Sequence, residues 1–210
     1  MSAPNRREQQ RLEVRDKILG AARELLLAEG IAGFTMRKLA DRVGYTPTAL
    51  YYHFEDKDAV LQSLMDADCL ALRKGLDRAE KEKDPVERLR VMGAAYIEFA
   101  LKNPDHYRFM FMHRDPDVVL DPANIRKGDP AQDGYAFLKK AAADGIAAGR
   151  FRGEFTDPDQ LAQVIWAGVH GLVSLHLTLG KDPWFDWRPV RPTGKVLIDV
   201  MLRGLVKPPV

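Results

Sequence analysis

The chain has 210 residues, 46% hydrophobic and 30% charged, enough to bury one good core or a small domain beside a larger one. A net charge of only +2 excludes a global field that draws in nucleic acid, so any such role must come from local placement of charge. The single cysteine, Cys69, excludes an internal disulfide framework and fits a reducing cytoplasm, and the polar start "MSAPNRREQQRLEVRDK" lacks the apolar core of a signal peptide.

Residues 11 to 29 place Val14, Ile18, Ala22, Leu25 and Leu26 on one helical stripe, with Gly30 as a C-terminal cap. Thr35 caps a second helix over 35 to 43 that buries Leu39, Ala40 and Val43 and ends at Gly44. Thr46 caps a short third helix with Pro47 at its first position, where the missing N–H costs nothing. The next helix runs from about Asp56 to Glu82. Asp84-Pro85, Asn103-Pro104, Asp129-Pro130 and Asp157-Pro158 then each read as N-cap plus first helical residue. Glu87 stands at capping-box distance from Asp84, and Leu89, Met92, Tyr96 and Phe99 follow at helical spacing. Gly149 and Gly180 close the helices starting near 131 and 158. Thr193 caps a last helix carrying Val196, Leu197, Val200, Met201 and Leu205. The segment 113 to 130 is the main irregular loop. With no strand alternation and no repeat, the pattern predicts an all-α chain of about nine helices. An N-terminal three-helix unit precedes a larger C-terminal bundle.

A helix, a glycine turn and a second short helix make a helix-turn-helix, whose second helix enters the major groove while the first braces it. Here the pair is 35 to 43 and 46 to 52, with 11 to 29 as the third wall and Ile31 and Phe34 filling the connection. The stretch "GFTMRKLADRVGYTPTALYYHFEDKDAVL" resembles the DNA-binding domain of the tetracycline-repressor (TetR) family. The resemblance is carried by Phe34-Thr35, Leu39-Ala40, Val43-Gly44, Leu50-Tyr51, His53-Phe54, Lys57 and Leu61, and covers roughly residues 11 to 65. "VIWAGVHGLVSL", residues 164 to 175, with "NPDHYRFMFM" upstream, is similar to the branch of that family whose C-terminal domain carries a Trp-His-Gly signature. The resemblance implies a cytoplasmic bacterial regulator. Residues 1–57 would bind DNA, residues 58–210 would bind ligand and dimerise, and the last two helices would form the homodimer interface.

Under that resemblance Tyr51 and His53 donate hydrogen bonds to phosphate oxygens, Lys57 adds a point charge, and the hydroxyls of Thr35 and Thr48 suit phosphate as well. Arg37 reaches toward a base edge, where arginine pairs best with guanine. Thr46, Pro47, Thr48 and Ala49 are stubby enough to let the helix lie deep in the groove. The family often has glycine where Thr48 or Ala49 stands, which leaves the base contacts open. Leu39, Leu50 and Phe54 are core, and one of Tyr51 and Tyr52 either meets DNA or packs against the following helix. His53 has no metal-ligand partner at helical spacing. Residues 1 to 57 hold 10 Lys and Arg against 8 Asp and Glu, hence +2, and the remainder holds 22 against 22. Arg6, Arg7, Arg11 and Arg15 form an N-terminal arm that either tracks DNA or is a solvated tail.

A two-turn recognition helix makes too few contacts alone, and two copies at operator spacing require a symmetric dimer. Its interface is expected on 158 to 179 and 194 to 206, through Leu161, Gly168, Gly171, Leu172, Leu175, Val196 and Val200. Helix-interior glycines cost up to ~1 kcal/mol each relative to alanine, and either a partner helix or a contact within the chain accounts for them. Tyr96, Phe99, Phe109, Met110, Met112, Phe137 and Trp166 form either an adaptable apolar pocket, with His170 orienting a polar group, or an ordinary core.

The function expected is a ligand-responsive transcriptional regulator. Its simplest form is a homodimeric repressor released from a palindromic double-stranded DNA operator by a small, largely apolar or aromatic effector. A constitutive DNA-binding dimer without an effector is the alternative. No catalytic motif is present, Cys69 has only Arg73 and Lys74 near it as activating groups, and the histidines are too scattered for a metal site, so neither enzyme nor cofactor is expected. Residues 161 to 179 reach the minimum length of a membrane span. With Gln163, His170, Ser174 and His176 among them they are expected to be buried in protein on two sides instead.

Overall fold

A computed structural model describes residues 6–112 and 124–208. Among these there are nine α-helices, one 3-10 turn and a lone backbone bridge between Phe151 and Val206, so the all-α expectation holds. The chain forms two compact units. Unit 1 runs to Asp68 and takes in Asp105 to Asn124. Unit 2 is built from Cys69 to Pro104 and from Ile125 onward.

In unit 1, α1 (Arg6–Gly33) begins five residues before the expected start and bends at Gly30, whose φ of 70° is left-handed. The capping glycine thus turns the chain, and a last turn follows it. α2 (Met36–Val43) is capped by Thr35, whose hydroxyl accepts from Lys38 N at 3.2 Å, and stops at Gly44 with φ 75°. α3 (Pro47–Tyr51) is capped by Thr46, which accepts from Ala49 N at 3.2 Å. The three helices share a core of Ile18, Leu25, Leu26, Phe34, Leu39, Leu50 and Phe54, each 2% exposed or less. Full burial of such a side chain stabilises by about 1.5–3 kcal/mol. α4 (Lys57–Gly75) starts in unit 1 and belongs to unit 2 from Cys69 on; it ends seven residues before Glu82, and a 3-10 turn of unit 2, Asp77–Lys81, takes up the rest. α6 (Pro104–Phe111) follows α5 in the chain, yet Asp105 onward belongs to unit 1, where Tyr107, Phe109 and Met110 are buried.

In unit 2, α5 (Pro85–Lys102) starts at Asp84, which accepts from the N–H groups of Val86 and Glu87, while Glu87 itself receives Arg90. Three expected caps differ. Pro104 is the first residue of α6 as expected, but the side chain of Asn103 before it closes α5, its amide donating to Phe99 O at 2.9 Å. Asp129 accepts from Ala131 N in a turn, and α7 (Gly134–Ala147) starts at Asp133 instead. α8 (Pro158–Leu179) is capped by Asp157 as expected. Thr193 lies inside the first turn of α9 (Val190–Leu205), where its hydroxyl donates to Pro189 O at 2.9 Å. Of the loop expected over 113 to 130, residues 113 to 123 lie outside the described residues, and 124 to 130 are bends and turns.

α8 corrects a further expectation. Leu161, Ala162, Ile165, Val169 and Val173 bury one face, but Val164 and Leu175 are about half exposed, and only 28% of its most apolar window is buried. The second face is not covered by the described residues. By length and composition α8 passes as a membrane span.

Candidate nucleic-acid interface

α3 is barely more than one turn long, so its orientation rests on anchors. Leu50, fully buried, and Phe54, four residues on, point into the unit 1 core. Tyr45 N donates to Ala40 O at 2.9 Å and fixes the turn between α2 and α3. These anchors leave Thr46, Pro47, Thr48, Ala49, Tyr51 and Tyr52 on the outer face, all exposed, with Tyr52 at 80%. Thr35 and Arg37, at the start of α2, are exposed too. Both tyrosines therefore face solvent in the folded chain, and neither is consumed by packing.

The cations of unit 1 sort into two groups. Arg15 donates to His53 O at 3.0 Å and to Ser63 Oγ at 2.6 Å, and its guanidinium lies 4.2 Å from the Phe54 ring centre. Lys17 donates to Val43 O, Lys38 to Glu29 and Gly33 O, and Arg42 to Glu24. Lys57 donates to Ile31 O at 2.6 Å, beside the Phe34 ring. Lys57, expected as a phosphate contact, is thus engaged by the Ile31 carbonyl, which also accepts from Phe34 N at 3.3 Å. Arg37 has no such partner among the described residues. The arginine-rich start is a helix rather than an arm or a tail, and Arg15 within it is a brace.

His53 is partly buried and meets the Tyr52 ring edge-on at 5.4 Å. Burial, then the positive charges of Arg15 and Arg11, hold its imidazole below the ordinary histidine range. That direction favours the uncharged imidazole, which still donates one ring N–H. The described residues contain no cluster of three metal-ligating side chains.

The other expected residues divide between the units. Phe109, Met110 and Met112 belong to unit 1, the first two buried. In unit 2, Phe99 and Phe137 are buried and Arg73 lies 4.3 Å over the Phe137 ring. Trp166 Nε1 donates to Tyr96 Oη at 3.0 Å, Tyr96 Oη meets His170 Nδ1 at 3.1 Å, and His170 Nε2 meets Ser174 Oγ at 3.2 Å. Burial holds His170 below the usual range. Ser174, one helical turn beyond His170, is the member of this polar chain that sequence reasoning missed. Of the residues expected at a dimer interface, Leu161 is 2% exposed and packs in the unit's own core. A side chain at Gly168 would run into Met201 of α9, so this glycine answers a contact within the chain. Gly171 faces open space, Leu172 is partly buried, and Leu175, Val196 and Val200 are exposed.

Comparison with known proteins agrees with this geometry. The family profile "Bacterial regulatory proteins, tetR family" matches residues 18–64, and "Tetracyclin repressor-like, C-terminal domain" matches residues 89–188. The nucleoid occlusion factor SlmA of Vibrio vulnificus is 37% identical over 101 residues, which are 47% of this chain and 52% of SlmA. The chain thus matches about half the length of that relative. The HTH-type transcriptional regulator TtgR of Pseudomonas putida is 26% identical over 180 residues, 83% of this chain and 85% of TtgR. A TetR family transcription regulator from Marinobacter aquaeolei VT8 shares the fold, with a TM-score of 0.72 at 20% identity over 95% of this chain and 99% of that one.

Proposed function

Because this chain belongs to the TetR family of DNA-binding transcriptional regulators, we propose that it is a homodimeric repressor, released from a palindromic operator by a small, largely apolar or aromatic effector. Residues 1–57 read DNA and 58–210 bind effector and partner. The observation that carries the DNA-reading half is the exposed strip Thr46 to Ala49 with Tyr51 and Tyr52, held out by buried Leu50 and flanked by exposed Arg37. Thr35, Thr48, Tyr51, Tyr52 and His53 hold phosphate, Arg37 reads a base, and Lys57 keeps the strip in place while offering its remaining N–H bonds. The dimer half is supported by the uncovered Val164 and Leu175 of α8 and Val196 and Val200 of α9, which a second copy buries around Gly171. The effector half is supported by the polar chain Trp166–Tyr96–His170–Ser174 in the same unit as buried Phe99 and Phe137, since effector sites pair apolar lining with a few convergent polar groups. An effector acts by preferring one arrangement of the dimer, and release is bounded by that differential affinity. The protein works in the cytoplasm, on double-stranded DNA, without a cofactor.

The deep burial of Phe99, Phe109, Met110 and Phe137 favours a second reading, a constitutive DNA-binding dimer in which these residues are solid core. Footprinting on DNA upstream of its own gene, across salt concentrations, tests the DNA half. A protected palindrome that weakens steeply with salt is expected, and no sequence preference in a genome-wide selection overturns it. Screening apolar compounds for loss of operator binding separates the two readings.

A further inference from the structure

We propose that the cleft between the first turns of α1 and the Tyr52-His53 turn is a second seat for DNA, one that takes the sugar-phosphate backbone flanking the base pairs under α3. This rests on the DNA-binding reading above. The cleft measures about 600 Å³ and is lined by Arg7, Glu8, Gln10, Arg11 and Val14 on one wall and Tyr52 and His53 on the other. Arg7, Arg11 and Val14 stand at i, i+4 and i+7 and so share one helical face. Its size suits a nucleotide-length stretch of chain rather than a single ion.

The walls are held in register. Arg15, one turn beyond Arg11, bonds to the His53 carbonyl and to Ser63 and stacks on Phe54, which ties α1 to the end of the recognition segment. The lining is rich in donors: two guanidinium groups, a phenol, an imidazole and an amide face a single carboxylate, Glu8. Guanidinium matches phosphate bidentately. Burial, then Arg15 and then Arg11, hold the His53 imidazole below its ordinary range, so it stands in the cleft wall as a donor beside these guanidinium groups. Arg11 is exposed and engages no other group among the described residues by hydrogen bond or ion pair. Tyr52 follows α3 directly, so a strand leaving the recognition helix meets this cleft next. Contacts of this kind position the protein and carry no base preference.

The test uses full-length protein and a duplex selected from random DNA by the wild type. Affinity is measured against salt on that duplex and on one trimmed to the base pairs beneath α3. On the long duplex Arg11→Ala is expected to weaken binding about 10-fold per protomer. The slope of log K against log salt should shrink by about 0.9 for each phosphate the variant no longer neutralises, with base preference unchanged. On the trimmed duplex the Arg11→Ala penalty should vanish, while that of Arg37→Ala should persist. Equal affinity and slope for Arg11→Ala and wild type on the long duplex overturn the seat alone. A wild type that selects no DNA overturns the DNA-binding reading and the seat together. A mononucleotide that binds wild type but not Arg11→Ala, with no effect of duplex length, gives the cleft to a free nucleotide and overturns the backbone assignment.

Discussion

Arg23→Met probes the most deeply buried charge in unit 1. Asp68 is fully buried on α4, and its Oδ1 accepts both from Arg23 of α1 and from His106 Nδ1 of α6, the latter at 2.7 Å. Its other oxygen, Oδ2, is buried without a hydrogen-bond partner among the described residues. Removing one member of a buried pair costs about 3–5 kcal/mol, because a desolvated charge is left behind. His106 stays in place here, which puts the expectation near the lower end, about 3 kcal/mol. At roughly 2–4 °C per kcal/mol for a chain of this size, the melting temperature falls by about 6–12 °C. Replacing both groups, Arg23→Met with Asp68→Leu, removes the stranded carboxylate and should return stability to within about 1 kcal/mol of wild type. Urea unfolding at one protein concentration, followed by far-ultraviolet circular dichroism, measures this. All three tryptophans, Trp166, Trp184 and Trp187, lie in unit 2, so their fluorescence should move less than the dichroism. A single variant within about 1 kcal/mol of wild type, or a double variant as unstable as the single, refutes the claim that Arg23 neutralises a buried charge.

Gly145→Ala should cost about 1–3 kcal/mol, because a Cβ there drives into the stiff ring of Phe151, and an unchanged urea midpoint would show that the ring moves aside freely. Arg37→Ala should lose about 1–3 kcal/mol of operator affinity concentrated at one base pair, whereas a loss spread evenly over all sequences would make Arg37 a phosphate contact. His53 and His170 are both held below the ordinary histidine value, first by burial, so the folded chain binds fewer protons than the unfolded one. Their contribution to stability is present above the unfolded value and is lost as pH falls through the folded ones. The urea midpoint should therefore drop on acidification from about pH 7, less steeply in His170→Gln, and equal slopes for the two proteins would discard the assignment to His170.

What could be read from the sequence was local. Thr35, Gly44, Thr46 and Pro47 act within four residues of themselves, and each does in the structure what its chemistry dictates. Asp84 and Asp157 do likewise. Where a residue had two local partners to choose from, the sequence did not decide. Asn103 reaches back to Phe99 and closes a helix. Thr193 turns to Pro189, and Asp129 makes a turn four residues ahead of the true cap, Asp133. Contacts between distant segments were out of reach altogether. Nothing near Lys57 announces the carbonyl of Ile31, and nothing near Arg15 announces His53 and Ser63. Gly168 and Gly171 look alike in sequence, three residues apart on one helix, yet one abuts Met201 and the other faces open space. The placement of α6 was hidden for the same reason. Tyr107, Phe109 and Met110 carry the composition of a pocket, and only the fold assigns them to the core of unit 1.

The fate of the N-terminal cations bears on how a chain of net charge +2 holds DNA at all. Of the 10 Lys and Arg in residues 1 to 57, Arg15, Lys17, Arg23, Lys38, Arg42 and Lys57 bind carbonyls or carboxylates of their own unit. The other four, Arg6, Arg7, Arg11 and Arg37, are exposed. They are not spread over the surface. Arg37 stands at the start of α2 beside the recognition strip, and the other three stand in the first two turns of α1. Lys17, Lys38 and Arg42 stay exposed while paired, and Arg11 in α1 and Arg37 at the start of α2 are two exposed cations that no hydrogen bond or ion pair among the described residues engages. Two separated grips fix the angle of a short helix in a groove better than one, since a single contact lets the helix pivot about it. Under the DNA-binding proposal, a protein arranged this way orients α3 by placement of charge and not by amount. That is why the totals of the sequence say so little about it, and why Arg37 and Arg11 should fail in different ways when removed.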